Sequence, residues 1–137
     1  MREYLMKLLF IPYRWGGDDP ILGFDCSGGA QEFLRAFGAH PREDTDLTAQ
    51  GLYDELTKKG QYGVKDLGSL AFFGKSHQKI THVTILLSPN FIFEFGGGGS
   101  HTVTLEDAAN QNAYGRIRPL DHRTDLIACV MPKYPYP

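Results

Sequence analysis

Cys26, His82 and Glu94 are the residue types of a thiol nucleophile site. Cys26 follows a glycine-punctuated loop, Tyr13-Arg14-Trp15-Gly16-Gly17 through Gly23-Phe24-Asp25, and stands where a helix is predicted to start. A helix N-terminus carries a partial positive charge and unpaired N–H donors. A thiol placed there titrates below its free value of about 8.5, in some proteins to between roughly 3.5 and 7.5. A neighbouring histidine takes the thiol proton and later protonates the leaving amine, which is worth about 10²–10⁴-fold in rate. A carboxylate behind that histidine holds the imidazole in its productive tautomer. Cys26 is therefore read as the nucleophile, His82 as the base and acid, and Glu94 as the orienting group. Backbone N–H groups at the start of the Cys26 helix, with the Tyr13 hydroxyl, would meet the oxyanion. This chemistry needs no cofactor and no metal.

The elements that must position these residues follow from periodicity. Residues 2–9 suit a short amphipathic helix that ends at the Ile11-Pro12 step. Residues 13–25 read as a loop. From Cys26 to Phe37, Ala30, Phe33, Leu34 and Phe37 recur at helical spacing, and Gly38 follows as a stop. A second helix is predicted from Thr48 to Lys58, with Leu52 and Leu56 on one face. The period then changes. Residues 69–73, 81–87, 91–95, 115–118 and 126–131 read as strands, with a short helix at 105–110. N-terminal helices on a mostly antiparallel sheet of five to six strands make an α+β fold, with residues 1–137 as one domain.

The hairpin over residues 81–95 supplies a register. Val83, Ile85 and Leu87 are apolar on one parity, as are Phe91, Phe93 and Phe95. A three-residue loop at Ser88-Pro89-Asn90 pairs 87 with 91, so all six face the core. The opposite face receives His82, Thr84, Leu86, Ile92 and Glu94, with His82 diagonal to Glu94.

The remaining candidates are weaker. His40 and His122 lie in turn-like sequence and read as solvated, and His77 and His82 lack the spacing of helical zinc ligands. His101, after the glycine run, is the substitute third member should Glu94 fail. Gly96–Gly99 is no phosphate loop, since no Gly-Lys-Ser/Thr follows it. It reads either as a flexible connection or as a mobile wall beside the site. Asp18-Asp19 reads as solvated loop rather than a metal site. Cys129 lies in an apolar run and reads as a buried strand residue.

Composition narrows the function classes. The chain has 137 residues, 42% of them apolar and 22% charged, as expected of one globular domain. A net charge of −2 carries no basic footprint, so nucleic acid is not an expected partner, and no apolar run is long enough for membrane insertion. Two cysteines make no disulfide framework. The start, with charges among its apolar residues, does not read as a secretory signal, which predicts synthesis in the cytoplasm. The Tyr-Pro-Tyr-Pro end reads as a loose tail.

Taken together, Tyr13-x-Trp-Gly-Gly, Gly23-Phe-Asp-Cys-Ser-Gly28, Gly68-Ser-Leu-x-Phe-Phe73 and Thr81-His82-Val83 resemble the NlpC-type cell-wall cysteine peptidases, over residues from about 10 to 130. The gap of 12 residues from His82 to Glu94 resembles that family's gap to its third residue. The resemblance implies a papain-like core and hydrolysis of an amide in peptidoglycan stem peptides through a thioester, between D-γ-glutamate and the next diamino acid. It implies that Asp25 and Ser27 bind the free amine of the stem peptide and that Tyr13 lies beside the nucleophile. A charge-assisted bond from an ammonium to Asp25 is about twice as strong as a neutral one. Three positions depart from the family pattern. Glu94 stands where His, Asn or Gln is usual, Gly29 where an apolar residue follows Cys-Ser-Gly, and Ser69 where aspartate precedes the first strand. Gly29 is expected to leave less packing under the first helical turn.

A peptidase domain without an export signal or wall-binding module also resembles those carried by phage tails and related particles, which implies particle proteins as partners and delivery to the wall by the particle. Two other readings of the same residues remain open here. One is a tail-tip docking module whose hydrolysis is incidental, and the other is acyl transfer from the thioester to an amine.

Overall fold

The computed structural model describes residues 1–19, 23–42, 45–99 and 101–135. Three N-terminal helices precede the main sheet. They are α1 (Arg2–Met6), α2 (Cys26–Ala36) and α3 (Ala49–Lys59). A two-residue hairpin, β1 (Asp18–Asp19) with β2 (Gly23–Phe24), lies in the stretch read as loop. Six strands follow: β3 (Gln61–Tyr62), β4 (Leu70–Ser76), β5 (Lys79–Ser88), β6 (Phe91–Gly96), β7 (Tyr114–Pro119) and β8 (Leu126–Met131). A further helix, α4 (Leu105–Gln111), lies between β6 and β7, and a 3₁₀ turn (Leu120–His122) follows β7. The sheet order is β3-β8-β4-β5-β6-β7, with every pairing antiparallel. The fold is α+β, as the change of period predicts.

Side-chain caps set the helix starts. Asp25 accepts from the Gly28 N–H and Thr48 from the Gly51 N–H, which begins α2 and α3 at Cys26 and Ala49. The buried faces of both helices, Phe33 and Leu34 with Leu52 and Leu56, pack on Leu70, Phe72, Val83, Ile85 and Phe93 of the sheet. The other face is not simply polar. Ala71, Phe73, Leu86, Ile92, Leu120 and Cys129 form a second, smaller core there. Leu86 and Ile92, assigned to the hairpin's polar face, are buried in it, and Cys129 is buried as expected.

The hairpin register agrees with the expectation in the strand body, where Ile85 faces Phe93 and Leu86 faces Ile92. At the turn it differs. A bulge at Leu87 pairs Ser88 with Phe91, and Phe91, the first residue of β6, lies beyond the edge of the core and is 48% exposed. The C-terminal end is also partly docked, since the Tyr134 hydroxyl donates to the Gly68 carbonyl at 2.6 Å and its ring meets Phe33 edge-on. Tyr136 and Pro137, with the side chains of Asp18 and Asp19, lie outside the described residues. No helix among the described residues is long and apolar enough to cross a membrane.

Candidate functional site

The head of α2 is built for close approach. The Gly17 carbonyl accepts from the Asp25 N–H at 3.1 Å and lies 2.0 Å from where a Cβ on Gly28 would sit. Only glycine lets the Trp-Gly-Gly loop press onto the first helical turn beside Cys26. Asp25 fastens the same corner. Its Oδ1 accepts from the Gly28 N–H at 2.6 Å and the Ser27 hydroxyl at 3.2 Å, and its Oδ2 accepts from the Gly16 N–H at 3.0 Å. Burial pushes the Asp25 carboxyl up, against the pull of those three donors, and nearby Asp46 adds to the rise. An amine bound by Asp25 would therefore share a carboxylate that already caps the helix.

Gly29 is not a packing deficit. A Cβ there would lie 2.2 Å from Cδ2 of Phe95, whose ring occupies the space under the helical turn. Ser69 is fully buried, and its backbone joins Asp66 and Leu86 across the entry to β4.

Cys26 is the first residue of α2 and a free, half-buried thiol. His82 on β5 is 8% exposed and tilts against Phe73, its cross-strand neighbour. Its Nε2 lies 2.8 Å from Glu94 Oε1, and the Cys26 thiol shares its cleft and favours the charged imidazole. With Nε2 directed at Glu94, Nδ1 is the nitrogen that remains for the thiol. Burial opposes the imidazolium, but hydrogen bonds and charge from Cys26 and Glu94 outweigh it and raise His82 to about 9. Glu94, 2% exposed, resists ionisation through burial, yet His82 and Arg116 together hold it at about 2. Thiol, imidazole and carboxylate are thus brought to one cleft from α2, β5 and β6.

Tyr13 is buried, and its ring fills the space beside Gly98. Burial, followed by the charges of Cys26 and Asp25, pushes its phenol up, which keeps it a hydrogen-bond donor. The three catalytic candidates, Tyr13, Asp25 and Ser27 all line one cleft of about 700 Å³. Gly96–Gly99 forms part of its wall. Gly96 packs against Glu94 and Gly98 against Tyr13, so these two glycines are seated, not a loose connection.

Several residues were not found from sequence. Arg116 on β7 sits directly across from Glu94 and donates from Nε to its Oε2 at 2.8 Å, with Nη2 at the same distance as an ion pair. His122, read as solvated, lines the cleft with Nε2 3.6 Å from Glu94 Oε1. The 3₁₀ turn after β7 carries it back over the sheet. His40, also read as solvated, is buried. Its Nε2 pairs with Gln31 Oε1 at 3.0 Å, and its Nδ1 accepts from the Arg42 N–H at 3.1 Å. Gln31 in turn donates to Asp46 Oδ1 and the Leu47 carbonyl, both at 2.9 Å, and so holds the cleft's second wall. A polar residue next to the apolar stripe of α2 is the one signal that could have exposed this network. His101 is exposed in a turn. Among the described residues no three His, Cys, Asp or Glu side chains are grouped to hold a metal ion.

The model of the NlpC/P60 family matches residues 11–118, and the chain belongs to that family. It is 34% identical over 113 residues to the bifunctional muramidase/DL-endopeptidase CwlT of Bacillus subtilis (strain 168). That match covers 78% of this chain but 32% of CwlT, so the chain corresponds to about a third of that relative's length. Among solved structures, an NlpC/P60 family protein from Bacillus cereus ATCC 10987 superposes with a TM-score of 0.69 at 17% identity, over 93% of this chain and 37% of that one. The NlpC/p60 domain of the peptidoglycan hydrolase SagA gives 0.65 at 21% identity, over 94% and 93% of the two chains. These likenesses show a shared fold.

Proposed function

We propose that this chain is a cysteine peptidase that hydrolyses amide bonds in peptidoglycan stem peptides. The observation that carries the reading is the gathering of Cys26, His82 and Glu94 in one cleft, with His82 hydrogen-bonded to Glu94. Cys26 gives its proton to His82 Nδ1 and its sulfur attacks the scissile carbonyl. The oxyanion faces the N–H groups that open α2 and the Tyr13 hydroxyl. Collapse expels the amine, which takes the proton from His82 and leaves a thioester on Cys26. Water, deprotonated by His82, then attacks the thioester, releasing the acid and restoring the thiol. Glu94 accepts from Nε2–H throughout, which keeps Nδ1 available for both transfers.

The bond we assign is the one between D-γ-glutamate and the following diamino acid, with Asp25 and Ser27 receiving the stem peptide's free amine. The DL-endopeptidase in the name of CwlT supports this assignment. The test is mass spectrometry of purified sacculi and of defined stem peptides, with and without a free N-terminal amine. The expected products are free acids from cleavage at the γ-glutamyl bond, lost in Cys26→Ala and reduced when the amine is blocked. Undiminished activity in Cys26→Ala would overturn the reading.

A further inference from the structure

We infer that Arg116 is a positioning residue for the reaction, fixing Glu94 as an oriented anion whose other carboxylate oxygen is left to His82. This rests on the cysteine-peptidase reading and deepens it. Each oxygen of Glu94 has its own task. Oε2 accepts from Arg116 Nε at 2.8 Å, with Nη2 equally close as an ion pair, while Oε1 accepts from His82 Nε2 at 2.8 Å. With the guanidinium fork of Arg116 on one oxygen and His82 on the other, the carboxylate is held in orientation as well as in charge. The backbone holds the fork in place, because Glu94 and Arg116 are cross-strand partners on β6 and β7. Gly96 leaves the room this requires. A Cβ there would fall 2.5 Å from Glu94 Oε2 and 2.9 Å from Arg116 Nη2.

A carboxylate as buried as Glu94 favours its neutral form unless a cation faces it. The charged or titratable groups around it are His82 from β5, Arg116 from β7, His122 at 3.6 Å from the 3₁₀ turn, and Arg123 beyond it, with Cys26 behind His82. Arg123 is bound in a two-point pair to Asp125, at 2.8 and 2.6 Å. Arg116 is the permanent cation in direct contact. Without it, Glu94 takes up a proton as pH falls, and the imidazole loses the anion that favours its charged form. His82 is then a weaker base for the Cys26 proton. Because Arg116 acts through Glu94, its loss lowers kcat and leaves KM for the peptide nearly unchanged.

The test compares wild type, Arg116→Met, Arg116→Lys, Glu94→Gln and the Arg116→Met/Glu94→Gln pair. Hydrolysis of a defined stem peptide and iodoacetamide alkylation of Cys26 are both followed from pH 4 to 9. In Arg116→Met, kcat falls about 10- to 100-fold, the range typical when a partner that orients an active-site group is removed. The acid limb of the profile moves to higher pH. Alkylation near pH 6 to 7 slows by about tenfold for each pH unit of support lost. Arg116→Lys, which keeps the charge but not the fork, restores much of the acid limb and less of kcat. In the Glu94→Gln background Arg116→Met adds little, since no anion remains to hold. An unshifted acid limb with unchanged alkylation, or the same fold-loss with and without Glu94, would overturn the role. If Arg116→Met does not fold, Arg116→Lys carries the same comparison, and a wild-type acid limb together with full kcat in that variant would be the overturning result. Alkylation uses no substrate, so it separates failure of this role from failure of the peptidase assignment, which would appear as wild type inert on stem peptides.

Discussion

Gly29→Ala adds one methyl group to α2, and its effect can be worked out from the ring beneath it. The new Cβ lands 2.2 Å from Cδ2 and 2.5 Å from Cε2 of Phe95. Carbon atoms pack at about 3.5 Å, so the ring must retreat by ~1.2 Å or more. It has nowhere to go. Phe95 is 2% exposed, Phe93 stands edge-on at 5.6 Å, and a Cβ on Gly115 would lie 3.1 Å from Cε1 on the far side. Overpacking of this kind costs about 1–3 kcal/mol. Replacing a helical glycine with alanine returns up to ~1 kcal/mol, and with a contact this short at the upper end of the overpacking range, about 2–3 kcal/mol, the net loss is about 1–2 kcal/mol. In a chain of this size that lowers Tm by roughly 3–10 °C. Thermal melts and urea titrations of Gly29→Ala, Phe95→Leu and the double variant measure it. The smaller side chain should relieve the clash, leaving a favourable coupling of about 1–2 kcal/mol in the cycle. A Gly29→Ala protein that melts at or above wild type would refute the reasoning, as would an equal penalty in the Phe95→Leu background.

Two further outcomes follow from buried polar groups. Glu94, held at about 2, contributes stability that is complete above its ordinary value near 4.5 and is lost as pH falls towards 2. His82, raised to about 9, contributes stability that is complete below 6.5 and is lost as pH rises through 9. Tm should therefore be highest between pH 4.5 and 6.5 and fall on both sides, with the acid-side fall reduced in Glu94→Gln; a Tm that climbs steadily from pH 7 to 10 would contradict the second limb. Gln31→Leu strands the Leu47 N–H and removes the acceptor of His40, both tied to Gln31 at 2.7 and 3.0 Å. At roughly 1–3 kcal/mol for each buried group left unsatisfied, it should cost about 3 kcal/mol or more and raise KM by shifting the Asp46–Leu47 wall, which urea melts and steady-state kinetics would read.

Most of the fold was legible because its long elements obey a single period over enough residues. The helical stripe of Ala30, Phe33 and Leu34 and the alternation of Val83, Ile85 and Leu87 each point to a buried face that the structure contains. Two-residue pairings such as β3 with β8 have no period to detect. The error at Phe91 has a different origin. Alternation along β6 is unbroken through Phe91, but it names a face and not where the core ends, and Phe91 is the strand's first residue. The second core behind the sheet was missed for another reason. The 3₁₀ turn that carries Leu120 over Leu86 and Ile92 leaves no signature in the hairpin itself.

The site divides along the same line. Cys26 was legible from a local feature, a helix start, and His82 and Glu94 from a hairpin whose short turn fixes its register. Arg116 was not, because residues 97–113, with α4 among them, separate β6 from β7, and a connection of that length leaves the register open. Yet Glu94 itself implied such a residue. A carboxylate on a strand between two buried phenylalanines, Phe93 and Phe95, is costly unless a cation meets it. On the next strand Arg116 and Arg118 share a parity, so periodicity alone cannot choose between them. The pairing chooses: Glu94 faces Arg116, and Arg118 faces Ile92. A glutamate in the third position is thus one half of a charge pair, and a histidine, asparagine or glutamine there would bring no negative charge to the arginine opposite.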